Sequence, residues 1–310
     1  MFDTTGFDDK TIEKVYRISD IIQKLYEIDF TKQRLVLYGG TSLNFLHIRN
    51  IPRLSIDIDF NYRDRQTGDW DKERDGIDKI IKKILSDLHY AKQNINIQAK
   101  YPLTRFMVQY TTKSGERDSL KIEIGYMRRI PIFNKDVLLS FIHPETNDTV
   151  QVQTPQSEEL FGNKLCTLLY RYQDETIASS RDLFDVYTIS NTKFNKKQFE
   201  YAIVIDSLMR REPRLYQFNV KKLIDNVTVD NQLKNLIHNR KVPADLKQKA
   251  ELFLEKYIAK VKEQYKDIID VFFEKYQFKP EILEEYNILN NRIKEHPSIL
   301  WNLEQLKKSR

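Results

Sequence analysis

The 310 residues are 40% hydrophobic and 31% charged, which supplies apolar material for a packed core and length for about two domains. The one cysteine, Cys166, excludes a disulfide scaffold and a cysteine-built zinc site, and no apolar run reaches the ~18 residues of a membrane helix. The net charge of +6 is unevenly placed: residues 1–190 carry 27 Lys+Arg against 28 Asp+Glu, a net of −1, and residues 191–310 carry 24 against 17, a net of +7. A basic last third suits a polyanion such as RNA or DNA, and equally a lysine-rich solvated surface. The acidic start, MFDTTGFDDK, lacks the apolar segment of a signal peptide, so a cytoplasmic protein with no membrane partner is expected.

In chain order, Ile12, Tyr16, Ile18, Ile21, Ile22, Leu25 and Ile28 recur at helical spacing and predict an amphipathic helix over 10–29. The run RLVLY (34–38) before Gly39-Gly40 predicts a buried strand and a turn, and TSLNFLHI (41–48) a capped helix. LSIDIDFNY (54–62) alternates, with Ile56, Ile58 and Phe60 on one side and Asp57, Asp59 and Asn61 on the other, and so predicts a strand. Residues 64–75 are polar and read as a loop. Ile77, Ile80, Ile81, Ile84, Leu85 and Leu88 predict a second amphipathic helix. Three strands follow, at 94–101, 103–112 and 119–126, with a turn at 113–116 (KSGE), then a strand or short helix at 136–142. From Thr154 the period becomes helical, with Pro155 suited to a first helical position. Expected are a helix to about 172, a loop over 174–180, a helix over 181–190 capped by Ser180, and segments near 196–211, 219–238, 243–277 and 280–295. The expected fold class is α+β, a mixed half over 1–145 followed by an all-helical half over 146–310.

Two features carry chemistry. Asp57 and Asp59 leave one face of a strand close together and repel unless something positive lies between them; a divalent ion that prefers oxygen, Mg²⁺ or Mn²⁺, meets that need. Glu123 beside Lys121 on LKIEI (120–124) becomes a third carboxylate if the two strands pair. Against this stands a plain solvent face with acids on it. The second feature is Gly39-Gly40-Thr41-Ser42, between a strand and a helix. Glycines admit a ligand to the backbone, and the first helical amides with the Thr41 and Ser42 hydroxyls can receive phosphate oxygens. The bland alternative is a strand-to-helix turn with a hydroxyl cap. The five histidines show no metal-ligand spacing, and Cys166 lies in an apolar helix stripe.

The order strand, Gly-Gly turn, helix, D-x-D strand resembles the polymerase-β-like nucleotidyltransferases. LYGGTSLNFLHIRNIPRLSIDIDF, then EELFGNKLCTLLYR and RDLFDVY, are similar to the AbiEii/AbiGii toxins, the MenT-like nucleotidyltransferases of abortive-infection and toxin–antitoxin systems; the blocks span about residues 35–190. The resemblance implies a polymerase-β-like domain, a mixed sheet with flanking helices, ahead of the helical one. It implies Asp57 and Asp59 as catalytic metal ligands, with Glu123 as a weaker third. Gly39, Gly40, Thr41 and Ser42 would line the triphosphate, Lys164 would be catalytic and bind NTP, and Asp182 or Asp185 would be the acidic residue of the last block. Arg53 would touch phosphate or pair with an aspartate. The implied reaction is Mg²⁺-dependent transfer of NMP from an NTP to an RNA 3′ end, foremost tRNA, with a cognate antitoxin, often a DNA-binding regulator, as partner. Transfer to a protein side chain, and nucleotide binding without turnover, stay open as other readings.

Overall fold

A computed structural model describes residues 3–48, 50–64, 69–171 and 179–309. The chain divides into two compact units, one formed by residues 1–129, 136–155 and 235–240, the other by 130–135, 156–234 and 241–310.

The first unit begins with α1 (Asp9–Glu27), capped by the Asp8 carboxylate, which accepts from the Thr11 amide. After a short helical turn, α2 (Asp29–Lys32), comes β1 (Leu35–Tyr38), then α3 (Gly39–Ser42), which continues as a wider π-helical turn over Leu43–His47. β2 (Asp57–Tyr62), α4 (Trp70–Asp87), β3 (Ile95–Lys100), β4 (Leu103–Thr111) and β5 (Arg117–Gly125) follow. The strands form one mixed sheet in the order β1-β2-β5-β4-β3, in which only β2 and β5 run parallel. One face of that sheet is the core. Ile58, Phe60 and Tyr62 of β2, Ile122 and Ile124 of β5, and Phe106 and Val108 of β4 meet Ile18, Ile21, Ile22 and Leu25 of α1 and Ile77, Ile81 and Leu85 of α4. The pleat sends every second residue to the opposite face, and there the carboxylates stand.

Two elements of this unit differ from the sequence expectation. The segment 64–75 is not all loop, because α4 starts at Trp70. Asp69 caps it, accepting from the amides of Asp71 and Lys72, and Asp71 and Glu73 sit in the first turn where the helix dipole favours acids. That turn carries no apolar stripe, so periodicity first registers at Ile77. A second hairpin, β6 (Val137–Ile142) with β7 (Thr149–Thr154), also belongs to this unit, and the expected boundary after residue 145 falls in its loop. The alternating TVQVQT of β7 falls inside the half expected to be all-helical, and it is a strand of the first unit because its period is two. Its Thr154 hydroxyl donates to the Leu37 carbonyl, and the Tyr26 hydroxyl bonds the carbonyls of Leu35 and Gln153.

The second unit is helical: α5 (Ser157–Arg171), α6 (Ser180–Ser190), α7 (Lys196–Leu208), α8 (Val220–Asn226), α9 (Asn231–Lys234), α10 (Leu246–Gln264), α11 (Lys266–Lys275) and α12 (Pro297–Lys308). α5 and α7 pack closely at Gly162, where a Cβ would lie 2.7 Å from the Ala202 Cβ. The expected helix over 243–277 breaks at Tyr265. This buried residue donates its hydroxyl to Glu200, which also takes Lys260 at 2.6 Å. The expected helix over 280–295 is instead three single 3₁₀ turns. Backbone groups there bond the 130–135 segment: the Asn290 amide reaches the Ile132 carbonyl, and Leu289 bridges Phe133. The expected loop at 174–180 falls mostly outside the described residues.

Candidate active site

β1 delivers the chain to the diglycine turn. Gly39 has φ +70, and a Cβ on it would stand 2.1 Å from Asp59 Oδ2; a Cβ on Gly40 would stand 2.6 Å from Arg53 Nη2 and 2.9 Å from Ser55 Oγ. Each glycine is required for its own reason, the first by a left-handed backbone and a carboxylate pressed against it, the second by a guanidinium. The turn and the carboxylate strand therefore touch, which sequence order alone could only suggest. The Thr41 hydroxyl bonds Ser55 Oγ at 3.0 Å and also the Asp57 carbonyl, and Ser42 Oγ bonds Thr154 Oγ1 at 2.6 Å. Both residues are fully buried, so these hydroxyls brace the turn from inside. Arg53 is buried too and donates through Nη1 to the Leu54 carbonyl at 2.9 Å.

Asp57 and Asp59 share the outer face of β2, about 6.7 Å apart along the strand by its rise per residue. The parallel partner β5 sets Lys121 beside Asp57 and Glu123 beside Asp59. Lys121 Nζ lies 3.8 Å from Asp57 Oδ2 and 3.2 Å from Glu123 Oε2, and Arg105 Nε donates to Glu123 Oε1 at 2.6 Å. Burial pulls the Lys121 ammonium toward deprotonation, but the charges of Asp57, Asp59 and Glu123 outweigh it and raise its pKa. Burial likewise raises the Glu123 carboxyl, and Lys121 and Arg105 outweigh that, holding it below the usual range.

A hard divalent cation fits this edge through Asp57 and Asp59, two oxygen donors on one face with the Gly39 backbone against one of them. Glu123 already has Arg105 and Lys121 on its two oxygens, and among the described residues no three His, Cys, Asp or Glu side chains form a ligand cluster. The pair would therefore need oxygens from water or a ligand to complete a cation's shell.

In the second unit, Lys164 of α5 and Asp185 of α6 form a buried ion pair: Lys164 Nζ donates to Asp185 Oδ2 at 2.8 Å, with the side chains 9% and 0% exposed. Asp182, one turn earlier, takes Arg171 Nη1 at 2.6 Å, and that arginine is half exposed. The two aspartates that sequence left as alternatives thus have different partners, and Asp185 is the one joined to Lys164. Sequence reasoning missed Arg105 and Thr154. The alternation Leu103, Arg105, Met107 places Arg105 on the polar face of a strand, but nothing in it tells that Glu123 is its cross-strand neighbour.

The family model described as the nucleotidyl transferase AbiEii toxin, type IV TA system, matches residues 23–273. Among solved structures the chain is similar to MenT4, a nucleotidyltransferase toxin from Mycobacterium tuberculosis H37Rv. The two are 17% identical, with 96% of this chain and 95% of that one covered at a TM-score of 0.56. It also aligns with an antigenic nucleotidyltransferase-like protein from Paracoccidioides brasiliensis at 12% identity, over 73% of this chain and 97% of that one. The TM-score there is 0.37, too low to carry an argument. No curated protein matches the chain. The likeness to MenT4 establishes the fold: a mixed sheet with helices on one side, accompanied by a helical unit.

Proposed function

Because the chain belongs to the AbiEii family of nucleotidyltransferase toxins from type IV toxin–antitoxin systems, we propose that it transfers NMP from an NTP to the 3′ end of an RNA, tRNA foremost, with Mg²⁺ or Mn²⁺. The 3′ hydroxyl oxygen of the acceptor bonds the α-phosphorus as its proton passes to water, the bond from the α-phosphorus to the bridging oxygen breaks, and pyrophosphate leaves. Asp57 and Asp59 hold the cation, which when bound supplies positive charge at the phosphate oxygens. Gly39 and Gly40 bring backbone to the triphosphate, while Thr41, Ser42 and Arg53 keep that backbone in place from beneath. Lys164 is the lysine that family membership implies as catalytic, its ammonium held by Asp185 within the second unit, and Asp182 keeps α6 tied to Arg171. Glu123 serves as the anchor of Lys121 and Arg105 and not as a principal ligand.

The observation that carries this reading is the Gly39 backbone lying against the Asp59 carboxylate, since a phosphate at the turn and a cation on that carboxylate would then be neighbours. NTP and tRNA as substrates place the work in the cytoplasm, and a cognate antitoxin is the expected protein partner. No described helix is long and apolar enough to cross a membrane.

The test is incubation of the protein with labelled NTPs, total tRNA and Mg²⁺. Label on tRNA, lost by at least ~10³-fold in Asp59→Asn with the melting temperature nearly unchanged, is the expected result. Label on protein instead would replace the acceptor, and tight NTP binding with no label anywhere would remove the reaction.

A further inference from the structure

The outer face of the sheet continues past the carboxylates. One cross-strand row runs Tyr38, Asp59, Glu123, Arg105, Gln98 from β1 to β3, and the row beside it runs Asp57, Lys121, Met107, Asn96. On β3 and β4 this face presents Asn96, Gln98, Lys100, Arg105, Met107 and Gln109. Neither strand contains an Asp or Glu. Asn96, Gln98, Lys100 and Gln109 are exposed. Arg105 is held at its Nε by Glu123, with Nη1 3.4 Å from the Gln98 side-chain oxygen, and 39% of its side chain stays in solvent.

We propose that this acid-free strip of β4 and β3 is the track on which a single-stranded RNA end lies, with Arg105 and Lys100 meeting its phosphates and Gln98 and Asn96 meeting base edges. The argument is charge complementarity. Strand spacing puts β4 and β3 within ~14 Å of β2, so a polyanion drawn to the two cations lands beside the aspartates, whose own charge would otherwise repel it. Amide side chains donate and accept at once, as unpaired bases do. Glu123 takes Arg105 at 2.6 Å and Lys121 at 3.2 Å, so one carboxylate faces two cations and the trio keeps a net positive charge.

The proposal rests on the RNA-acceptor reading above, and the experiment separates the two. Anisotropy of an end-labelled tRNA transcript is titrated with wild type, Arg105→Gln and the Gln98→Ala/Lys100→Gln double variant between 50 and 200 mM salt. Each variant is expected to bind ~3- to 10-fold more weakly, with the slope of log K on log salt shallower by ~0.7 for each cation removed. NTP binding by the double variant should equal wild type. Wild-type affinity and salt slope in both variants would overturn the track, as would absence of tRNA binding by wild type. Binding that depends on these residues without any NMP transfer to RNA would leave the track standing and remove the reaction.

Discussion

Two charged clusters, one in each unit, are built on opposite principles. At the carboxylate edge of the first unit, Asp57 and Glu123 keep 27% and 18% of their side chains exposed and share Lys121 loosely, at 3.8 and 3.2 Å. In the second unit, Lys164 and Asp185 are sealed in and joined at 2.8 Å. A partly exposed cluster that shares one ammonium can exchange its counter-charge for a cation or a phosphate at smaller cost. A buried pair cannot lose one member cheaply, because the remaining charge has no solvent to take it. The first arrangement suits groups that receive ligands in turn; the second suits a single charge that must be aimed and kept there.

The largest effect expected from this contrast is at Asp185. Asp185→Asn leaves the Lys164 ammonium buried without its charge partner and should destabilise by about 3–5 kcal/mol in denaturant unfolding. The double variant Lys164→Met/Asp185→Leu should regain most of that stability while transferring no NMP. A double variant as unstable as the single one would break the idea that the pair is kept for chemistry.

Gly39→Ala comes next. A Cβ at 2.1 Å from Asp59 Oδ2, on a residue with φ +70, should cost about 1–3 kcal/mol and displace the carboxylate, lowering metal affinity measured with Mn²⁺ along with activity. Unchanged Mn²⁺ affinity would separate the turn from the aspartates.

Acid should act on the first unit through His47, whose partly buried ring is desolvated so that its pKa falls to about 4, with Nε2 3.0 Å from Thr154 Oγ1. Well above pH 6.5 the ring is neutral whether folded or unfolded. As pH falls from 6.5 to 4 the unfolded chain takes up a proton that the folded one resists, so stability declines and then levels off. The expected share is on the order of 1 kcal/mol after solvent screening, and His47→Gln should flatten that part of the melting-temperature profile.

The smallest effect is at Arg171→Ala. It breaks the Asp182 pair, whose arginine is 52% exposed, and should cost at most about 1 kcal/mol. A loss comparable to Asp185→Asn would erase the distinction between the two aspartates of α6.

Much of this molecule was legible before its structure. The alternation of Ile58 and Phe60 with Asp57 and Asp59 fixed which face of β2 is apolar, since a strand's period of two leaves no other choice. The diglycine turn was visible as a position needing an absent side chain. The start of α4 was not, because a helix's first turn is held by capping at Asp69 and by dipole effects, which leave no periodic trace. The turns at 280–295 were not either, since their backbone bonds go to residues 130–135, far away in sequence. Sequence by itself determined the fold class and the two acids on one strand face, which follow from local period and residue type, while the candidate lysine came from the family resemblance of its block. Only tertiary structure decided that Asp59 lies against Gly39, that Glu123 is taken by Arg105 and Lys121, and that Lys164 chose Asp185 over Asp182. Those pairings depend on strand register and helix packing, and both are settled by the collective burial of apolar surface, not by any short stretch of chain.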